Sequence, residues 1–238
     1  MRIDVSEIEK SFQKTRALSR VSLSIESGSM HGIIGPEGAG KTTLLRIMLH
    51  LLKSDQGTVR YQDSSGSLSF ESIRPEIAYM PQQQSLYNDL SIQEHLHFFQ
   101  ALHHIPNQTF RQKADELLQV TRLSDFLDRP AGKLSGGMYK KLGLMCALLC
   151  SPKILFLDEP TNGVDPISRR EFWDLLYRLA DEDILIILTT SYMDEAERCG
   201  RVHLLEEGKV IGSGPPQQLL ASCGAFNFDE FYLNREKI

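Results

Sequence analysis

The sequence predicts an α/β fold: a mainly parallel central sheet, an antiparallel β subdomain near the N-terminus, and a helical subdomain inserted at about residues 85–133. Three observations carry this reading. The apolar run at residues 30–34 leads through a glycine loop into the helical pattern of residues 44–49, a strand–loop–helix passage. Two wholly apolar runs, residues 154–157 and 184–188, read as strands buried on both faces, as a helix-covered parallel sheet requires. Helical periodicity then governs much of residues 91–120.

With 238 residues the chain can bury a substantial core, and it reads as one two-lobed domain over residues 1–220 with a tail at 221–238. Lys and Arg total 26 against 31 Asp and Glu, a net charge of −5, which removes any general attraction to nucleic acid or to an anionic membrane. Cys146, Cys150, Cys199 and Cys223 form no C-x-x-C pair and have no nearby His at ligand spacing, so thiols in a reducing compartment are expected. No signal-peptide h-region follows the charged first residues, and no apolar run approaches the ~20 residues of a membrane span. A cytoplasmic chain that cannot cross a membrane alone is expected.

In chain order, Ile3, Val5, Val21, Leu23 and Ile25 alternate as in a small antiparallel sheet. Phe12 lies between these strands, where it fits either a buried strand position or an aromatic stacked on a nucleotide base. Next come Gly35, Pro36, Glu37, Gly38, Ala39, Gly40, Lys41, Thr42 and Thr43, which fit the spacing G-x-x-x-x-G-K-[ST]. Glycines let the loop turn its N–H groups toward an anion, and the following helix adds the positive end of its dipole. Lys41 then reaches the β- and γ-phosphates, and the Thr42 hydroxyl is placed for the accompanying Mg²⁺.

After a strand at residues 57–61, residues 63–69 read as a Ser/Gly-rich surface loop. The strand at 77–80 ends at Pro81, leaving the Gln82 amide at a carboxyl edge, where such sheets place ligand-binding groups. Ser91 and Glu94 have capping-box spacing, followed by an apolar stripe of Ile92, Leu96, Phe99 and Leu102. A second helix over 108–120 carries Phe110, Ala114, Leu117 and Leu118. Ser135, Gly136 and Gly137 then open a helix running to residue 150, a second place where small residues expose N–H groups at a helix start. The strand at 154–157 ends in Asp158 and Glu159, carboxylates expected beside the phosphate cradle: Asp158 for Mg²⁺ and Glu159 to take a proton from the attacking water. The strand at 184–188 ends in Thr189, Thr190 and Ser191, and a hairpin about Gly208 follows. Aromatic residues of the tail, Phe226, Phe228, Phe231 and Tyr232, fit either packing on the body or insertion in a partner.

In order, the cradle, Gln82, the Leu134–Met138 signature, the Asp158-Glu159 pair and Gly163-Val164-Asp165-Pro166 resemble the ATP-binding cassette (ABC) transporter ATPases over residues 1 to about 220. The resemblance implies a P-loop NTPase fold of the ABC type, with ATP and Mg²⁺ bound. It implies a second ATPase subunit, an identical copy or a sister cassette, meeting this one head to tail, so that one chain's cradle and the other's signature close on one ATP. Carried over, Phe12 is the adenine-stacking aromatic, Gln82 the Mg²⁺ and coupling glutamine, Glu159 the base and Asp165 the dimer-contact aspartate. Ser135, Gly136 and Gly137 contact the partner's nucleotide. Three positions depart from the pattern: Met138 replaces the usual Gln, Glu37 the frequent Asn, and Ser191 the switch histidine. The Gly136-Gly137-Met138 sequence, the lysine-rich helix start and residues 192–199 look like the ABC-2 type multidrug or lipid exporters. That subgroup implies ATP-driven efflux of a drug-like or lipid-like substrate through separate integral-membrane permease subunits, with this chain peripheral on the cytoplasmic side and no nucleic-acid partner. The competing expectations are a degenerate cassette that binds ATP as a structural or regulatory partner, for which Ser191 speaks, and a soluble non-transport ABC ATPase.

Overall fold

The computed structural model describes residues 1–181 and 184–234. Its elements are β1 (Arg2–Phe12), β2 (Thr15–Glu26), β3 (His31–Ile34), α1 (Lys41–Met48), β4 (Gln56–Asp63), β5 (Gly66–Leu68), α2 (Phe70–Ile73), β6 (Ile77–Met80) and α3 (Ile92–Leu102). They continue with α4 (Asn107–Thr121), α5 (Gly136–Leu148), β7 (Ile154–Asp158), α6 (Pro166–Asp181), β8 (Leu185–Thr190), β9 (Arg201–Glu206), β10 (Lys209–Gly214), α7 (Pro216–Cys223) and α8 (Phe228–Asn234). These residues group into two compact units, Met1–Arg74 together with Leu185 onward, and Pro75–Ile184.

In the first unit β1 pairs antiparallel with both β2 and β4, and β5 pairs with β4. The alternation read from sequence becomes buried cross-strand pairs: Ile3 opposite Ile25, Val5 opposite Leu23 and Ile8 opposite Val21. The expected loop at 63–69 is corrected, because Gly66–Leu68 forms β5, with Leu68 opposite Tyr61 and Gly66 opposite Asp63. So short a strand has no periodicity of its own and is made by main-chain pairing with β4. In the same unit β3 lies parallel to β8 and to β9, and β10 pairs antiparallel with β9. Both β3 and β8 are buried along their whole length, including the polar His31 of β3 and Thr189 and Thr190 of β8. The described part of the tail is built into this unit. Residue 220 lies inside α7, and α8 packs on α7 and on the 3-10 helix Met193–Arg198, with Phe228 and Phe231 buried. Phe226 alone among the tail phenylalanines points outward, 89% exposed.

In the second unit β6 and β7 are parallel, Ile77 opposite Ile154 and Met80 opposite Leu157. Helix α5 packs against α3, α4, α6 and β6, and Leu142, Leu144, Met145 and Leu148 make it apolar nearly all round. At the start of α3 the Ser91 hydroxyl accepts from the Glu94 amide while the Glu94 carboxylate accepts from the Ser91 amide, the reciprocal cap its sequence spells. Ile92 and Leu96 are buried as expected, but Leu102 is 55% exposed. His95 is buried beside them, with its Nε2 accepting from the Tyr87 amide and its Nδ1 2.9 Å from the Ser91 carbonyl. The α4 stripe of Phe110, Ala114, Leu117 and Leu118 is buried as read.

Candidate functional site

The glycine loop between β3 and α1 is shaped by its own covalent geometry. Gly38 and Gly40 have φ of +81° and +101°, a region that strains any residue with a side chain. Open space surrounds a Cβ placed at Gly38, so backbone conformation alone demands glycine there, whereas at Gly40 a Cβ would also lie 2.6 Å from the Ala17 carbonyl oxygen. The Gly35 amide donates to the Thr190 carbonyl at 3.2 Å, and the Ala39 amide donates to the Pro36 carbonyl at 3.2 Å. These two bonds hold an arch whose crest, Pro36, Glu37 and Gly38, is exposed. Helix α1 starts at Lys41 with Gly40 as its N-cap and no side-chain cap, and the positive end of its dipole lies at this start. Lys41 is buried, its Nζ donating to the Gly35 carbonyl at 2.8 Å and to the Pro36 carbonyl at 3.0 Å, which sets the ammonium against the arch. The hydroxyl-bearing Thr42 and Thr43 follow, both half-buried.

Two more expected residues belong to this unit. Phe12 ends β1 47% exposed, with Lys10 Nζ 5.6 Å from its ring centroid, so the buried-strand alternative is removed. Ser191 follows Thr190, the residue that receives the Gly35 amide, and is half-buried. The arch and the Ser191 segment are therefore tied together by main chain.

The remaining expected residues lie in the second unit. Strand β7 carries Asp158, fully buried, and Glu159 follows at 5% exposure with φ +47°. A left-handed glutamate costs about 1–3 kcal/mol and persists only where its surroundings hold it. The Asn162 amide donates to the Glu159 carbonyl at 3.2 Å, and the Tyr79 hydroxyl on β6 donates to Asp158 Oδ2 at 3.4 Å. Gln82, just beyond β6, is exposed. At α5 the Ser135 hydroxyl accepts from the Met138 amide at 3.3 Å, closing the helix start from within, while Ser135 and Gly136 stay exposed. Gly137 is a packing necessity, since a Cβ there would lie 2.4 Å from Ser168 Cβ on α6. Asp165 caps α6, its Oδ1 accepting from the Ile167 and Ser168 amides at 3.1 and 3.0 Å, and the Ser168 bond leads in holding its carboxyl below the usual range.

Reading the sequence for chemistry missed Lys140, which is buried on α5 with Nζ 3.3 Å from the Gln82 carbonyl and 3.4 Å from the Glu159 carbonyl. The lysine-rich helix start was the available signal. Among the described residues no group of three His, Cys, Asp or Glu side chains could hold a metal ion. The Thr42 hydroxyl, the Gln82 amide and the Asp158 carboxylate each carry oxygen, the donor type that Mg²⁺ takes. No described helix is long and apolar enough to cross a membrane.

A family model described as ABC transporter matches residues 18–162. The probable multidrug ABC transporter ATP-binding protein YbhF of Escherichia coli is 41% identical over 228 residues, which cover 95% of this chain and 39% of that protein. The chain thus spans about two fifths of that relative's length. The daunorubicin resistance ATP-binding protein DrrA3 of Streptomyces coeruleorubidus is 35% identical over 95% of this chain and 72% of its own. Among solved structures, an ATP-binding subunit of an ABC transporter superposes with a TM-score of 0.84 at 25% identity, covering 98% of each chain. A dimeric bacterial ABC transporter cassette superposes with a TM-score of 0.78 at 25% identity, covering 90% of this chain and 98% of its own.

Proposed function

The chain belongs to the ABC transporter family, and from that premise we propose that it is the ATP-binding and hydrolysing subunit of an ABC-2 type exporter. The observation that carries the proposal is the arch at residues 35–40, which ends in a helix with no side-chain cap and a lysine drawn against its carbonyls. A glycine arch leading into a helix start favours an anion, because its amides and the helix dipole present positive charge. The amides of the arch and of α1 take the β- and γ-phosphates of ATP, Lys41 neutralises them, and the exposed Phe12 ring receives the base. Thr42, Gln82 and Asp158 supply oxygen ligands to Mg²⁺. Glu159 accepts the proton of the attacking water, and the strain of its backbone is a reason to assign it a task beyond packing.

Ser135, Gly136, Gly137 and Asp165 serve a second cassette, identical or sister, in a head-to-tail dimer; the dimeric cassette among the solved relatives supports association. The names of the relatives, multidrug and daunorubicin resistance, support efflux of a drug-like or lipid-like compound through separate integral-membrane subunits, with this chain peripheral on their cytoplasmic side. A groove on the helical lobe beside Gln82 receives a short helix of that permease. A second reading, a cassette that binds ATP with negligible turnover, is favoured by Ser191, whose short side chain cannot reach as far as a histidine ring.

Extracting the full chain from membranes of its own cell, identifying the integral-membrane chain that accompanies it and assaying the complex for Mg²⁺-dependent ATPase tests the proposal. A permease partner with ATPase activity is expected. A complex that binds ATP and does not turn it over would select the second reading, and recovery without any membrane partner would refute the exporter.

A further inference from the structure

Two lysines, Lys140 and Lys141, are buried just past the first turn of α5, and a buried cation needs polar or charged partners. Lys141 has a compensation, its Nζ lying 2.5 Å from Glu171, which Arg122 also contacts at 3.2 Å. Lys140 has a different one. Its side chain is buried, and its Nζ stands within donating distance of two main-chain carbonyls, Gln82 at 3.3 Å and Glu159 at 3.4 Å. Both distances are at the long end for an ammonium donor, as befits one cation shared between two acceptors on different segments.

These two carbonyls belong to residues to which the proposed function assigns separate work, the Mg²⁺ and coupling amide and the general base. Glu159 is also the strained residue, with φ +47°, and a corner of that kind holds only if its neighbours fix it. The turn bond from the Asn162 amide fixes it from its own segment, and Lys140 is a contact from another element. Burial lowers the Lys140 ammonium from its usual value, while Asp158 and Glu159 act in the opposite sense. Burial is the larger of the two effects, so the bridge stands on its geometry, two carbonyls within reach of one Nζ.

We propose that Lys140 is a positioning residue for hydrolysis: by bridging the Gln82 and Glu159 carbonyls from α5 it holds the base at its left-handed corner and ties that corner to the glutamine segment. The inference rests on the proposed ATPase function and deepens it. It makes the signature helix a structural link between those two segments within a single chain, separate from any service it gives a second cassette.

The test compares the full chain as wild type, Lys140→Met, Lys140→Arg and Lys141→Met, with Glu159→Gln as reference. Methionine keeps the stem and removes the charge and donors. In Lys140→Met the turnover number for MgATP should fall at least about tenfold while MgATP affinity stays within about twofold, and arginine should restore turnover to within about threefold of wild type. Without nucleotide, amide hydrogen exchange at residues 82–85 and 159–163 should quicken at least about threefold in Lys140→Met and hold at wild-type rates in the β9–β10 hairpin and in Lys141→Met. If Lys140→Met does not fold, Lys140→Gln is judged by the same criteria. Turnover within twofold of wild type, unchanged exchange in the two segments, or exchange that quickens equally everywhere would overturn the proposal. Wild-type chain without Glu159-dependent hydrolysis would instead overturn the functional reading, and the exchange comparison, made without nucleotide, tells the two failures apart.

Discussion

Helices α1 and α5 both start after small residues, yet one start is open and the other closed. Gly40 caps α1 with no side chain, and the loop before it is left-handed at Gly38 and Gly40. Ser135 caps α5 with its own hydroxyl, and Gly137 is there because Ser168 of α6 leaves no room for a Cβ. The same pairing of glycine and helix start thus has two causes. At α1 glycine serves the left-handed backbone of the loop; at α5 Gly137 serves packing while Ser135 and Gly136 remain on the surface. The contrast extends to the units that hold them. The first carries the groups to which we assign phosphate binding, and the second the carboxylates and the strained corner to which we assign the work on water.

The largest expected effect separates the two units by chemistry. Glu159→Gln should lower the turnover number at least about a hundredfold, since an amide orients water but cannot take its proton, while MgATP binding stays within a few-fold. Steady-state hydrolysis beside a nucleotide titration measures both. Lys41→Ala should show the reverse. Losing its charge-assisted bonds costs about 1.5–3 kcal/mol, or about 10–100-fold in MgATP affinity.

A third test asks whether the units respond differently to acid. His31 on β3 and His203 on β9 are buried with their rings stacked and Nδ1 of the first 3.2 Å from Nε2 of the second. Burial pushes His31 down to about 4, and burial with the neighbouring His31 pushes His203 to about 3. Both folded values lie below the unfolded value of about 6.5, so the folded sheet binds fewer protons. Their contribution is complete above about pH 6.5 and is lost as pH falls toward 4 for His31 and toward 3 for His203. Amide exchange corrected for intrinsic rate should show β3 and β9 losing protection between pH 7 and 5 ahead of β6 and β7; equal loss would break the contrast. The smallest effect is expected at Ser191→Ala. If its hydroxyl reaches the phosphate or the water only through a bridging water, turnover should change less than about threefold. A loss as large as that of Glu159→Gln would give the hydroxyl a direct role.

Much of this was legible because it is local. The arch, the Ser91–Glu94 cap and the α4 stripe each depend on residues within one turn or one loop, and their spacing shows them. What escaped is tertiary. The bonds of Lys140 go to main-chain atoms 58 and 19 positions away, and a carbonyl carries no sequence signature. The His31–His203 contact joins residues 172 apart, and β5 exists only through pairing with β4. Phe12 was ambiguous for the same cause, since exposure is a property of the packed sheet edge and not of the residue. The positive φ of Glu159 was hidden too, because only glycine announces such a backbone.

The central claim is that the arch and Lys41 bind the nucleotide while Glu159 turns it over. Its most direct test is MgATP titration and steady-state hydrolysis of wild type, Lys41→Ala and Glu159→Gln in one preparation of the full chain with its membrane partner. The account expects Lys41→Ala to lose affinity, and Glu159→Gln to keep affinity and lose turnover. Glu159→Gln hydrolysing at the wild-type rate under saturating MgATP, or Lys41→Ala binding MgATP as tightly as wild type, would contradict it.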